Sequence, residues 1–197
     1  MPMTFHPLEL KTLAGALHYA KPEQIMPAHV EPSNPAMDVM TDLGRVSAAT
    51  ITPSETIDHA LQVMIKKGVR LLLVEDHDHG IIGLITATDI QGEKPMRLVQ
   101  ETSVHHSDII VGDLMTPINQ AEIIDMDIVR RSHVGDVVRT LTQDSRQHAL
   151  VVEQKEGEEA VIRGIFSTSQ IGRQMGMPIN TSEKAQTFAE LEMAIAG

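Results

Sequence analysis

The sequence predicts an α+β fold in which two β-α-β-β-α units pack as a pseudo-twofold pair, with an N-terminal arm and a C-terminal helix outside the pair. Three observations lead to this prediction. The chain repeats itself, each repeat holds an amphipathic helix followed by two short apolar runs, and each repeat is too short to bury a sizeable core alone. We therefore expect the two units to bury apolar faces against each other.

Four segments recur in the same order along the chain. DVMTD (38–42) recurs as DLMTP (113–117), TIDHALQVMIKKG (56–68) as HVGDVVRTLTQDS (133–145), RLLLVE (70–75) as HALVVE (148–153), and GLITATDI (83–90) as GIFSTSQI (164–171). The offsets between partners rise from 75 through 77 and 78 to 81, which indicates short insertions in loops. The predicted organisation is an N-terminal arm at 1–37, a first repeat at 38–108, a second repeat at 109–178 and a C-terminal helix at 179–197.

Each repeat is predicted to begin with a short strand, near 48–51 in the first, followed by a helix. The helix has apolar residues at i, i+3, i+4 and i+7, which share one face. In the first repeat, Thr52-Pro53-Ser54 predicts the helix start and Gly68 its end. The apolar positions are Ile57, Ala60, Leu61 and Met64 in the first repeat and Val134, Val137, Val138 and Leu141 in the second.

A hairpin and a second helix are predicted to complete each repeat. VRLLLVE (69–75) and IIGLIT (81–86) have the length and composition of strands, and the polar turn DHDHG (76–80) joins them. A helix is expected to begin after Thr86, where the second run ends.

The flanking segments differ in composition from the repeats. LELKTLAGALHYA (8–20) has a helical pattern, and the Pro-rich run at 21–35 predicts an irregular, ordered arm. At the other end, Ser182 can cap a helix whose face carries Phe188, Leu191 and Ile195, so we expect a helix there that docks on another part of the protein.

The composition limits the functions open to this chain. It is 42% hydrophobic and 22% charged, as in soluble globular proteins, and aliphatic residues with 12 Met must fill a core that has almost no aromatic residues. The absence of Cys excludes disulfides, iron–sulfur clusters and cysteine catalysis. A net charge of −11 argues against nucleic acid or an anionic membrane as the main partner. With no signal-peptide pattern and no long apolar run, a cytoplasmic location is expected.

The pattern Thr86-x-x-Asp89 has two interpretations. In the first it is a capping box, in which the Thr hydroxyl accepts from a helix amide and the acidic side chain reaches back to the Thr amide. Ser167 and Gln170 have the same spacing in the second repeat, and Gln170 suits this task better than the shorter Asp89.

In the second interpretation, the same geometry binds a nucleotide. Thr86 lies where a strand ends and a helix begins, and free amides and the helix dipole attract phosphate at such a position. Asp89, one turn into the helix, can accept hydrogen bonds from both hydroxyls of a ribose. Hydrogen bonds to a charged acceptor contribute about 1.5–3 kcal/mol each.

Over residues 38–176 the chain resembles tandem CBS (cystathionine-β-synthase) domains, the pair also called a Bateman module. The resemblance rests on DVMTD, the Ile51-x-Pro53 step, GVRLLLVED and the G-h-h-T-x-x-D pattern at 83–89. It implies a non-catalytic regulatory module that forms a homodimeric disc and binds AMP, ADP, ATP or a related adenosyl ligand. It also implies that Thr86 and Asp89 contact phosphate and ribose, that Arg70 touches phosphate, and that adenine lies near Thr50 and Ile51.

The second repeat departs from the family pattern. Ser167 keeps a hydroxyl, Gln170 replaces the ribose-binding acid, and His148 is taken as the counterpart of Arg70. Histidine is a weaker cation than arginine at pH 7 because its unperturbed pKa is about 6.5. We expect one occupied nucleotide site per chain, beside Asp89, and a second site that is empty, weak or structural.

Other functions are less well supported by the sequence. The alternative from a different class is a ligand-free structural or dimerisation platform for a partner protein, in which both motifs only cap helices. The His and Asp residues of DHDHG and HHSD (105–108) form no convincing metal site, since a turn also favours Asp and Gly. No complete catalytic constellation is found, so we expect neither an enzyme nor a required cofactor. The sequence names neither the regulated protein nor the number of phosphates on the ligand.

Overall fold

The computed structural model describes residues 23–143 and 145–181. Within these ranges the strands are β1 Thr41–Asp42, β2 Thr50–Ile51, β3 Leu71–Glu75, β4 Ile81–Thr86, β5 Thr116–Pro117, β6 Ile123–Asp125, β7 His148–Glu153 and β8 Val161–Ser167. The α-helices are α1 Ile57–Lys67, α2 Ala87–Gln91, α3 Lys94–Thr102, α4 Val111–Leu114, α5 Met126–Val129, α6 Val134–Gln143 and α7 Thr168–Met175. The helices predicted at 8–20 and after Ser182 lie outside the described residues.

Each repeat builds one four-stranded sheet and receives one strand from the segment that precedes the other repeat. The strand orders are β2-β3-β4-β5 and β1-β8-β7-β6. Strand β1, from DVMTD, pairs with β8 of the second repeat, and β5, from DLMTP, pairs with β4 of the first. Packing therefore crosses the boundary expected at 108/109 in both directions, and the repeated segments tie the two units together.

This strand exchange explains the glycine that opens the GLITATDI and GIFSTSQI motifs. Gly83 lies opposite Pro117, and Gly164 lies opposite Asp42. A Cβ atom on Gly83 would lie 2.7 Å from the carbonyl oxygen of Thr116, closer than real Cβ contacts. The motif needs glycine because the exchanged strand runs directly over it.

Helix α1 ends where the sequence predicts and begins later than predicted. Gly68 closes it with a left-handed φ of 67°. The start predicted at Thr52–Ser54 is wrong: the side chains of Thr52 and Ser54 hydrogen-bond each other at 3.3 Å in a turn. Thr56 is the cap, and its Oγ1 accepts a hydrogen bond of 3.2 Å from the amide of His59.

The buried apolar residues form three clusters. Two are each centred on one repeat and its predicted helix face, with Ile57, Ala60 and Met64 buried in the first, and each also takes residues from across the 108/109 boundary, such as Val39 in one and Leu114 in the other. The third joins the sheets of the two repeats around Leu71, Leu73 and Leu150. The predicted α+β fold of two packed β-α-β-β-α units is therefore confirmed. None of the helices in the described ranges is both long and apolar enough to cross a bilayer.

The described part of the Pro-rich arm lies on the second repeat. The Val30 amide donates to the carbonyl of Gln174 on α7, and the Val134 amide at the start of α6 donates to the carbonyl of Asn34. The side-chain amide of Gln24 makes two hydrogen bonds to the backbone of this edge. It donates to Met40 O at 2.8 Å and accepts from Asp42 N at 2.7 Å. The arm thus completes the edge of the second unit at β1.

Candidate functional site

Thr86 and Asp89 form a capping box at the start of α2. Asp89 Oδ2 accepts from the Thr86 amide at 2.8 Å and from its hydroxyl at 2.7 Å, and Thr86 Oγ1 accepts from the Asp89 amide at 3.2 Å. The other carboxylate oxygen pairs with Lys94 Nζ at 2.5 Å, and the Asp89 side chain is 13% exposed. Both oxygens of Asp89 are therefore engaged by the protein itself.

Arg70 lies beside this helix start. Its carbonyl accepts from the amide of Ala87 at 2.9 Å, and the next residue, Leu71, pairs with Thr86 across the sheet. Arg70 is exposed, and among the described residues its guanidinium has no hydrogen-bond or ion-pair partner. An anion can therefore bind this guanidinium without displacing a protein partner.

Thr50 and Ile51, expected near adenine, face other partners. Hydrogen bonding first to His79 and then to Thr50 lowers the pKa of Glu75 below its usual range, so Thr50 interacts with this carboxylate. Ile51 is buried in the core of the first repeat. The base-binding role of this strand stays a prediction.

The second repeat has no capping box, so that interpretation of Ser167 and Gln170 is wrong. Ser167 makes no capping hydrogen bond, and its hydroxyl lies 2.8 Å from that of Ser169. The Gln170 amide accepts from Arg173 at 2.9 Å and donates to Gln174 at 3.1 Å. Because neighbours on α7 match both its donor and its acceptor, Gln170 is held along the helix and does not reach back to the cap.

His148 is not the counterpart of Arg70, as the strand register makes clear. The amide of Thr168 donates to Gln147 O at 3.0 Å, just as the amide of Ala87 donates to Arg70 O. His148 pairs with Ser167, as Leu71 pairs with Thr86. Gln147 therefore occupies the position of Arg70, and the offset of 78 read from the sequence is 77 in the structure.

His148 lies between the two repeats as a neutral, half-buried side chain. Burial, followed by the positive charge of Arg70, lowers the pKa of His148 to about 4, while the charge of Asp89 opposes the shift. Its Nδ1 atom is buried and has no hydrogen-bond partner among the described residues. The histidine thus contributes no charge at pH 7 to the region it shares with Arg70.

The pseudo-twofold relation makes two clefts, and they differ. On the side of the first repeat, Thr88 Oγ1 donates to Gln147 Oε1 at 2.8 Å and bridges the units. The corresponding residues on the other side, Ser169 and Arg70, both line open space. One cleft is therefore bridged by a hydrogen bond, whereas its counterpart is open.

The open cleft is a cavity of about 560 Å³, here called the inter-repeat cavity. Both repeats line it, and its basic residues are Lys67, Arg70 and Arg173, together with the neutral His148. No carboxylate is among its lining residues within the described ranges. Of the predicted site residues, Arg70, His148, Ser167 and Gln170 line it, whereas Thr86, Asp89, Thr50 and Ile51 do not.

A second cavity of about 500 Å³ adjoins the first and is here called the α7 cavity. It lies between α7 and residues 176–179. Arg70, His148, Ser169 and Arg173 line both cavities. The two spaces therefore share a wall that carries two guanidinium groups.

The cavity residues that sequence reasoning missed include Lys67, Gln147, Ser169 and Arg173. Arg173 follows Gln170 by three residues on the same helix, which places both side chains on one face, and this spacing was a usable signal. Lys67 and Gln147 carry no local signal, because only packing of the repeats brings them to the cleft. Within the described ranges, no group of three or more His, Asp or Glu side chains is arranged to hold a metal ion.

Comparison with known proteins gives a family match for part of the chain. Residues 32–93 match the family model of the CBS domain. No curated protein is similar enough in sequence to count as a relative.

Solved structures of similar fold extend over both repeats. An uncharacterized conserved protein from Pyrococcus horikoshii is 24% identical, with 72% of this chain and 92% of that chain covered and a TM-score of 0.51. The CBS-domain protein ATU1752 from Agrobacterium tumefaciens is 18% identical, with 71% and 91% covered and a TM-score of 0.50. The structure of CBSX2 in complex with AMP is 21% identical, with 82% and 98% covered, but its TM-score of 0.46 supports no argument about this chain.

Proposed function

We propose that this chain, a tandem CBS-domain protein, is a non-catalytic regulatory module that binds an adenosine nucleotide in the inter-repeat cavity. The main support is the charge of the cavity: Lys67, Arg70 and Arg173 line it, and its lining residues in the described ranges include no carboxylate, although the chain has a net charge of −11. An uncompensated cluster of cations in an acidic protein is suited to an anionic ligand.

The lining chemistry supports a nucleotide rather than a simple inorganic anion. Arg70 and Arg173 can donate forked hydrogen bonds to phosphate, and the Ser167 hydroxyl can bond phosphate or ribose. The cavity is also lined by apolar side chains that offer a surface for a purine; they include Val46, Ala48, Ala49 and Val69. An apolar wall with a few convergent polar groups, in a volume of this order, is typical of small-ligand sites.

This location differs from the site expected beside Asp89, which stays a prediction. A ribose at Asp89 would have to share the carboxylate with the Thr86 amide and with Lys94. Arg70 is common to both locations. Asp89 belongs only to the first location and Ser167 only to the inter-repeat cavity. The nucleotide affinities of variants at these two residues therefore show which location is occupied.

Binding in this cavity has a route to a regulatory output. The cavity takes lining residues from both repeats, so a ligand that favours one arrangement of the units shifts their equilibrium. Gln170 also lies 3.6 Å from the Met26 sulfur, and Gln174, one turn along α7, donates to Pro27 O at 2.8 Å. The described part of the arm is thus joined to the helix that lines the cavity. A homodimer and a regulated partner protein remain part of the proposal.

Titration calorimetry with AMP, ADP and ATP tests the proposal. The wild-type protein is expected to bind at one site per chain. Arg70→Ala removes charge-assisted hydrogen bonds of about 1.5–3 kcal/mol, so affinity should fall about 10- to 150-fold. Lys66→Ala removes an equal charge from an exposed position that lines neither cavity, and it should bind as the wild type does. Absence of binding by the wild type would overturn the proposal.

One observation favours the ligand-free platform as a second candidate. The capping box at Thr86 and Asp89 is complete without a ligand. If the chain is a ligand-free platform, no adenosine nucleotide should raise its melting temperature, because only a ligand that binds the folded state stabilises it.

A further inference from the structure

The α7 cavity adjoins the inter-repeat cavity, and Arg70 and Arg173 line both. From this arrangement we infer that the ligand is a nucleoside triphosphate whose phosphate chain extends past these two arginines into the α7 cavity. This inference rests on the proposed function, which leaves the number of phosphates open.

The positions of Arg70 and Arg173 indicate where phosphate can bind. Arg70 and Arg173 line both cavities and therefore mark where the two spaces adjoin. The inter-repeat cavity contains the apolar wall, formed in part by Ala48 and Val69. A nucleotide whose base packs on these residues can place its phosphates at Arg70 and Arg173, where the α7 cavity begins.

The α7 cavity also favours an anion. Like its neighbour, the α7 cavity has no carboxylate among its lining residues in the described ranges. Thr168 and Ser169, at the first turn of α7, line it, and no side chain caps this turn. The positive end of a helix adds to the attraction of the two arginines for a lengthening anion.

The combined volume of the two cavities is large enough for a ligand with more than one phosphate. A cavity of about 560 Å³ is sufficient for a small ligand, and typical sites span about 300–1,000 Å³. A monophosphate would leave the adjoining volume of about 500 Å³ to water. A triphosphate uses both volumes and brings its charge past both arginines.

Calorimetry tests this inference by comparing the affinities of AMP and ATP for the wild-type protein and for variants that fill one cavity or the other. We expect ATP to bind wild-type protein more tightly than AMP by about 10- to 150-fold, the value of further hydrogen bonds to charged groups. Pro178→Trp fills the α7 cavity from an exposed position, and it should abolish this preference while leaving AMP affinity unchanged. Ser47→Trp, exposed and lining only the inter-repeat cavity, should weaken AMP and ATP alike.

The outcomes separate this inference from the proposed function. Equal affinities for AMP and ATP in the wild type, or an ATP preference that survives in Pro178→Trp, would overturn the triphosphate inference alone. Failure of every nucleotide to bind would overturn the proposed function as well. Met177→Trp, at a second position lining the α7 cavity, provides the same comparison if Pro178→Trp does not fold.

Discussion

The hydroxyl of Thr88 donates a hydrogen bond of 2.8 Å to Gln147 Oε1 and so bridges the two repeats on one side of the pseudo-twofold axis. On the other side the corresponding residues, Ser169 and Arg70, line both cavities. A single polar bridge thus distinguishes two clefts that the repeated sequence makes alike.

The Thr88–Gln147 bridge should give a measurable coupling between the repeats. A net hydrogen bond contributes about 0.5–1.5 kcal/mol, and the exposure of Thr88 favours the lower end. A double-mutant cycle in urea with Thr88→Val and Gln147→Leu should return a coupling energy of this size. Thr88→Val combined with Gln62→Leu, a change on the exposed face of α1, should show no coupling. A zero value for the first pair would mean that the bridge does not hold the cleft.

Asp89 should contribute to stability through its cap. Asp89→Ala removes the acceptor for the Thr86 amide and hydroxyl, so unfolding free energy should fall by about 0.5–1.5 kcal/mol. Asp89→Glu should retain most of the stability, because Glu is favoured at this position of a capping box. Denaturant melts of both variants measure the difference. If the ribose contact predicted for Asp89 exists, calorimetry would instead show that both substitutions reduce nucleotide affinity.

His148 should make stability depend on pH between about 4 and 6.5. Its folded-state pKa of about 4 lies below the unfolded value, so the unfolded chain binds more protons in this range. Stability is retained above pH 6.5 and lost as the pH falls towards 4, at up to about 1.4 kcal/mol per pH unit. His148→Gln should flatten this part of the profile in denaturant melts. An unaltered slope in His148→Gln would contradict the assignment.

Gln174 should anchor the described arm to the second repeat. It is 3% exposed, and its amide nitrogen donates to the carbonyls of Pro27 and Asp38. Gln174→Leu leaves both acceptors without this donor, which should cost about 1–3 kcal/mol and speed hydrogen exchange at the Val30 amide. Gln62→Leu, on the exposed face of α1, should change stability by less than about 0.5 kcal/mol. Unchanged exchange at Val30 would show that the arm is held by other contacts.

Gly83 should be intolerant of a side chain. In Gly83→Ala the new Cβ meets a backbone oxygen of β5, which cannot move without shifting the exchanged strand. We expect a loss of about 1–3 kcal/mol in thermal or urea unfolding. Gly80→Ala meets only the flexible carboxylate of Asp76, at 3.3 Å, so its loss should be smaller. Equal losses would argue against the role assigned to strand exchange.

The sequence by itself determined the repeated units, their helix faces and their hairpins. These are local properties: apolar spacing along α1 and α6, the end of α1 at Gly68, and the alternation of strand and turn all depend on residues close in the chain. Local reasoning also found the Thr86–Asp89 capping box as one of two interpretations, although it expected Gln170 to be the better capping partner.

Tertiary structure alone decided how the units complete each other and where open space is left. The exchange of β1 and β5 joins residues far apart in sequence, and the register that aligns Gln147 with Arg70 depends on hydrogen bonds between strands. Lys67 and Arg173 face one cavity only because the two sheets pack around Leu71 and Leu150. Sequence spacing fixes which side chains share a face of one element, but the position of a charge relative to another element depends on packing over the whole core.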